Sequence, residues 1–234
     1  MKVTALGTGD ALCAAGRGTT AWLVDDARGS YAVDFGPTAL LALRKLGRDP
    51  QELAAVHFTH LHGDHIAGWP FLLLGARRRP LLASGPPGTR DRLQTLWAAC
   101  YADTAQRPLP FELTVVELQP GETQTLCGRK VSAFRAQHMG PKHVALSLRI
   151  DEVAFSGDTG KLPEGLCDGA KLLCCECTYA RPGDPKHLDW DTLRQELPEV
   201  PRILVGHLGD EVRRLARSSG RVQICEDFDC VEVP

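Results

Sequence analysis

A chain of 234 residues, 43% hydrophobic and 24% charged, is long enough for one sizeable core and short for two full domains. Its formal net charge of -2 lacks the basic footprint of a dedicated nucleic-acid binder. No run approaches the ~18 unbroken apolar residues of a membrane span.

The first ten residues, Met1 to Asp10, carry one basic side chain and an apolar run broken by Gly7 and Gly9, so they do not read as a secretion signal. Nine cysteines, an odd count without such a signal, point to reduced thiols and a cytoplasmic setting. Arg77-Arg78-Arg79 is the one dense basic cluster and reads as a solvated loop. One domain over residues 1–234 is expected.

Val3–Leu6 reads as a first strand, followed by the Gly7-Thr8-Gly9-Asp10 turn. Thr20–Val24 and Tyr31–Asp34 read as a hairpin, and Leu40, Leu41, Leu43 and Leu46 as one helical face ended by Gly47. Ala54–Thr59 is a buried strand that delivers His60 at its end. Asp64 is expected to cap a helix from Ile66 to about Ala76, with Pro70 early in it. Leu81–Ser84 is a strand, Asp91–Tyr101 a helix, and Asp103–Pro110 a loop. Strands follow at Leu113–Leu118, Val131–Ala136, Val144–Ile150, Val153–Ser156 and Leu172–Glu176. A short helix at Asp191–Leu197, a strand at Arg202–Val205 and a helix at Asp210–Arg217 come next. Val222–Cys225 and Cys230–Val233 close the chain as edge strands. Two clusters of strands, each followed by helices, predict two packed sheets with helices outside, an α/β chain that is α+β by strand order.

The stretch His60-Leu61-His62-Gly63-Asp64-His65 places three imidazoles and a carboxylate in six positions. A two-metal hydrolytic site takes about six to seven nitrogen and oxygen ligands, one of them a bridging carboxylate. His60 and His62, two apart on extended chain, point the same way. Asp64 and His65 lie beyond Gly63, where the chain turns, and can face a second ion. His138, Asp158 and His207 each sit at a strand end further along and fit the remaining places. Asp34 either orients a ligand histidine or caps the following turn.

This ordered set resembles the metallo-β-lactamase superfamily of metallo-hydrolases, from Leu6-Gly7-Thr8-Gly9 through Val33-Asp34-Phe35-Gly36 to Val205-Gly206-His207. The resemblance implies a four-layer αβ/βα sandwich. It also implies His60, His62 and His138 on one divalent ion, Asp64, His65 and His207 on another, and Asp158 between them. Zinc is the first expectation, with Mn or Fe as alternatives. Thr59–Leu73, the Gly85-Pro86-Pro87-Gly88 turn and Glu176-Cys177-Thr178-Tyr179 with a later His187 resemble the ribonuclease Z branch and its phosphodiesterase and arylsulfatase relatives. The resemblance implies that Glu176 orients His187 and that His187 assists the leaving oxygen. Asp64 or Asp158 is expected to hold the attacking water.

Only 19 residues separate His138 from Asp158, where ribonucleases Z carry a long tRNA-clamping arm. Leu188-Asp189 also replaces the small hydroxyl-bearing residues usual after the histidine. The expected substrate is therefore a small or nucleotide-derived phosphodiester, with nucleic acid less favoured and no membrane partner. The alternatives are a carboxylic-ester, lactone or thioester hydrolase, a tRNA 3′-end endonuclease, and a non-catalytic metal protein. A homodimer is compatible with the resemblance. Cys174, Cys175 and Cys177 read as core thiols, His57 as packing, and His143 is left unassigned.

Overall fold

The computed structural model describes residues 1–74 and 79–233. Arg77 and Arg78 of the basic cluster, and the expected helix end at Ala76, lie outside those residues. The first half folds as β1 (Lys2–Gly7), β2 (Ala21–Asp26), β3 (Gly29–Val33), α1 (Ala39–Lys45), β4 (Leu53–His57), α2 (Gly63–Ile66), α3 (Trp69–Leu74), β5 (Leu81–Gly85), α4 (Thr89–Cys100), α5 (Ala102–Ala105) and β6 (Leu113–Glu117). The second half adds β7 (Thr123–Leu126), β8 (Arg129–Arg135), β9 (Leu146–Ile150), β10 (Val153–Phe155), β11 (Leu172–Cys177), α6 (Trp190–Leu193), β12 (Arg202–Leu208), α7 (Asp210–Leu215), β13 (Val222–Ile224) and β14 (Cys230–Glu232).

Two seven-stranded sheets result, in the orders β14-β1-β2-β3-β4-β5-β6 and β13-β12-β11-β10-β9-β8-β7. In the first, β3 to β6 run parallel; in the second, β10 to β13 do. Both sheets are mixed, which gives the expected four-layer αβ/βα arrangement. Strand alternation sorts the core into three layers. Val24, Tyr31, Val33, Leu148, Phe155 and Cys174 fill the space between the sheets. Phe58, Trp69, Leu93 and Trp97 lie under the helices of the first sheet, and Cys175, Val205 and Val212 under those of the second. Each fully buried large side chain contributes roughly 1.5–3 kcal/mol of transfer free energy. Cys174 and Cys175 therefore face opposite layers, and all nine cysteines are free. At the end of the sandwich away from the histidines, buried Arg129 on β8 grips Asp26 on β2 with Nε and Nη2, at 3.0 and 2.7 Å, and ties the sheets together.

Three expectations need correction. The helix expected at 66–76 is two short helices, because Gly68 gives its N–H to Phe35 O at 2.9 Å and a Cβ there would strike the Gly36 carbonyl. Asp64 is not its cap: His62 holds the N-cap position, and the Asp64 carboxylate turns inward to His65. The stretch expected as a loop from Asp103 begins as α5, and β7 joins as an edge strand that no apolar pattern announces. Among the described residues no helix is long and apolar enough to cross a membrane.

Candidate metal centre

The C-terminal ends of β3, β4, β8, β10, β11 and β12 meet at one edge of the sandwich, and each contributes a polar side chain there. Two neighbouring groups form: His60, His62 and His138, and Asp64, His65, Asp158 and His207, with the nitrogen and oxygen atoms of each group within 4.8 Å of one another. Asp158 lies between the groups. Its carboxylate is 3.7 Å from His60 Nε2 and 3.8 Å from His138 Nε2 on one side, and 3.4 Å from both His65 Nε2 and His207 Nε2 on the other.

Local backbone geometry produces this convergence. Phe35 gives its N–H to His65 O at 2.7 Å, and Gly36 leaves room for the Asp64 carbonyl, so the histidine turn docks on the end of β3. Asp34 takes φ 60°, and its carboxylate receives Thr59 N, Thr59 Oγ1 and His65 Nδ1, each at 2.8 Å. It orients a histidine of the cluster, the first of the two roles open to it. In β12 the register slips between Gly206 and Leu208, so His207 is the extra residue of a bulge, at φ 51°. A bulge re-aims one side chain, and here it turns the imidazole onto Asp158.

Hydrogen bonds to the far nitrogens fix which atom of each ring faces inward. Thr178 Oγ1 gives its one proton to Glu176 Oε2 at 2.7 Å, so it accepts from His207 Nδ1 at 2.8 Å. Thr59 Oγ1 is likewise committed to Asp34 and accepts from His60 Nδ1 at 3.2 Å. His138 Nδ1 donates to Lys186 O at 3.0 Å. His60, His65, His138 and His207 thus all present Nε2 to the centre, whereas His62 presents Nδ1, 3.1 Å from both His60 Nε2 and His138 Nε2.

A cation fits this arrangement. His65 Nε2, His207 Nε2 and Asp158 Oδ1 are buried and aimed at one another with no hydrogen-bond partner among the described residues. The donors are imidazole and carboxylate without thiolate, a set that suits Zn, Mn or Fe. Burial holds His60, His62 and His138 below the usual imidazole range, so they stay neutral. Burial pushes the same way on His207, but Asp158 and then Asp64 overcome it and raise the group to about 9. Burial would raise Asp158, and the charges of His207 and His65 instead hold it well below the carboxylate range.

Beside the centre, His187 Nδ1 donates to Glu176 Oε1 at 2.9 Å. Its ring stacks on His207 at 5.6 Å and meets His138 edge-on at 4.8 Å. Burial lowers His187, and the Glu176 hydrogen bond and charge outweigh it, so the imidazole is shifted upward. His143 is exposed, and its N–H bonds Gly140 O at 3.0 Å. His57 lies apart, fully buried, with Nδ1 2.7 Å from Ser84 Oγ. Thr59 and Thr178 carry no role in the sequence reading. The available signal was position: Thr178 lies two residues past Glu176 on an extended strand, on the same face.

Comparison with known proteins agrees with this geometry. Residues 31–202 match the family described as the Beta-lactamase superfamily domain. The chain belongs to that superfamily, whose members carry the hydrolytic metallo-β-lactamase fold. A ribonuclease Z from Lachnospira eligens is 32% identical over 143 residues, covering 59% of this chain and 45% of that protein. The chain spans about half the length of several curated relatives it matches. The anti-Pycsar protein Apyc1 of a Paenibacillus strain is 27% identical over 84% of this chain and 85% of its own. Among solved structures, the short form of human tRNase Z superposes with a TM-score of 0.77 at 24% identity over the full length of both chains. A diphosphatase of the PhnP family gives 0.75 at 16% identity, covering 99% of this chain and 97% of its own.

Proposed function

We propose that the chain is a dinuclear metal-dependent phosphodiesterase acting on a small or nucleotide-derived phosphodiester. The observation that carries this reading is the Glu176–His187 pair, 2.9 Å apart and stacked directly on the histidine cluster. His60, His62 and His138 would hold one divalent ion, Asp64, His65 and His207 the other, with Asp158 shared. Divalent ions there supply Lewis acidity that acidifies water and neutralises phosphoryl oxygens.

The side chains do the rest. Asp64 Oδ2, 3.1 Å from His65 Nε2, belongs to a side chain that is mostly buried but still reached by solvent, and it can hold the attacking water by a hydrogen bond. His187 binds Glu176 through Nδ1, so its Nε2 is free to give a proton to the leaving oxygen, and the upward shift of the imidazole keeps that proton available. Asp34 and Thr178 keep the inner imidazoles in register.

Compact loops favour a compact substrate. The segment from His138 to Asp158 is short, and Gln137, Gly160, Pro185 and Lys186 close the mouth by direct contacts: Gln137 Nε2 to Pro185 O and Gly160 N to Gln137 O, both at 2.9 Å. The similarity to ribonucleases Z favours tRNA 3′-end cleavage as the second reading. The test is purified protein loaded with Mn or Zn and offered bis(p-nitrophenyl) phosphate beside a His62→Ala control. Metal-dependent turnover absent from the control is expected; wild type no faster than the control defeats the reading.

A further inference from the structure

Tyr179 is the aromatic side chain at the mouth that the chemistry above leaves unused. It follows Thr178, whose hydroxyl ties Glu176 to His207, and is 42% exposed. Its neighbours account for the orientation: Cys177 and Ala180 are buried in the outer core of the second sheet, so the chain turns the intervening phenol ring outward. The main chain beneath it is held from both sides. Tyr179 N donates to Leu188 O at 3.3 Å, and Trp190 N donates to Tyr179 O at 2.8 Å. A further N–H, that of Asp191, bonds Ala180 O at 3.2 Å. The ring meets the His187 imidazole edge-on at a centroid distance of 5.8 Å and an angle of 80°. His187 uses at most one of the ring's faces, and His187 itself lies against His138 and His207 of the cluster.

An apolar ring left this exposed, on rigid backbone and next to a group that handles the leaving oxygen, is suited to stacking. We propose that Tyr179 is a substrate-binding platform that stacks a planar aromatic group carried by the phosphoester, and so selects nucleoside or aryl esters over alkyl ones. This rests on the phosphodiesterase reading for the position of phosphorus. Arg181 and Lys186 are exposed in the same loop, and the charges that act on the phenol itself are the carboxylates of Asp184, Glu176 and Asp10. Nothing here asks for sequence readout, because every nucleobase offers a face for stacking.

The probe is a pair of ligands that differ only by the base: adenosine 5′-monophosphate and ribose 5-phosphate, titrated calorimetrically into Mn-loaded full-length protein. Wild type is expected to bind the nucleotide about tenfold more tightly, at the lower end of the range that stacking on an aromatic side chain supplies. Tyr179→Leu is expected to remove that ratio while leaving ribose 5-phosphate unchanged, and Tyr179→Phe and Tyr179→Trp to keep it. Equal wild-type affinities overturn the proposal, whatever the variants do. So does a Tyr179→Leu loss that falls equally on both ligands, which would mean that the residue only holds the loop of His187. The two readings fail separately. A protein that prefers the nucleotide but hydrolyses no diester keeps the platform and loses the activity; one that hydrolyses diesters with no preference does the reverse.

Discussion

Thr178 Oγ1 accepts a hydrogen bond from His207 Nδ1 at 2.8 Å while donating to Glu176 at 2.7 Å. One hydroxyl therefore joins an inner imidazole to the carboxylate that orients His187. Removing it frees the His207 ring and leaves a buried nitrogen without a partner. Thr178→Val is expected to weaken metal binding about 10- to 100-fold, the usual cost of losing a partner behind a ligand. Thr178→Ser is expected to restore it. Competition titration of Zn against a chromophoric chelator reads both.

The Glu176–His187 pair makes a prediction that depends on the leaving group. If His187 gives a proton to the leaving oxygen, His187→Ala is expected to slow an alkyl diester by about 10²–10⁴-fold. A p-nitrophenyl diester leaves as a stabilised anion and is expected to change far less. Glu176 raises His187, so Glu176→Gln lowers that group and the protonated form is lost at a lower pH. The alkaline limb of the kcat/KM profile for the alkyl diester is expected to move to lower pH in the variant. An unmoved limb assigns it to another group.

Three of the seven candidate ligands were legible because each stands just past an apolar strand: His60 after Val56 and Phe58, Asp158 after Phe155, His207 after Val205; His62, Asp64 and His65 were legible by their density beside His60. Strand ends on rigid sheets are where polar side chains can gather. The means of aiming them was not legible. His207 reaches the cluster only because β12 carries one more residue than its partner at that point, and no residue type marks the bulge. Thr178 works through contacts across 29 positions of sequence, which no local pattern encodes. The single helix expected after His65 ignored Gly68, whose value lies in a close approach to Gly36 made only in the folded chain. β7 was missed because Thr123, Gln124 and Thr125 present no apolar face; the strand exists because β8 offers it an edge to pair with.

Loop closure over the mouth depends on one glycine. A Cβ on Gly160 would run into the Pro185 carbonyl, with Lys186 N close behind. Those are backbone atoms, and Lys186 O is the acceptor for His138 Nδ1. Gly160→Ala is expected to displace the segment that carries His187 and to lower kcat about 10²-fold, the scale of a displacement near 1 Å at reacting groups. Far-ultraviolet circular dichroism is expected to match wild type. Gly183→Ala, in the same loop but with open space where its Cβ would go, is expected to leave kcat unchanged.

His57 sets an acid limit on stability that is separate from the metal centre. Fully buried between Tyr31 and Ser84, it is pushed down by burial to about 3 from 6.5. The unfolded chain takes up a proton at this residue near pH 6.5, and the folded chain does not until about pH 3. The neutral ring's contribution is therefore complete above pH 6.5 and falls by about 1.4 kcal/mol for each unit of pH below it. His57→Asn keeps an amide for Ser84 Oγ and removes the titration. Urea unfolding of both proteins in chelator, at pH 6.5 and about pH 4.5, cancels the other acid-sensitive groups in the comparison. Wild type is expected to lose about 2 kcal/mol more than the variant across that interval, because the unfolded chain is already half protonated at this residue at pH 6.5. Equal losses would mean that His57 takes up its proton in the folded state without penalty.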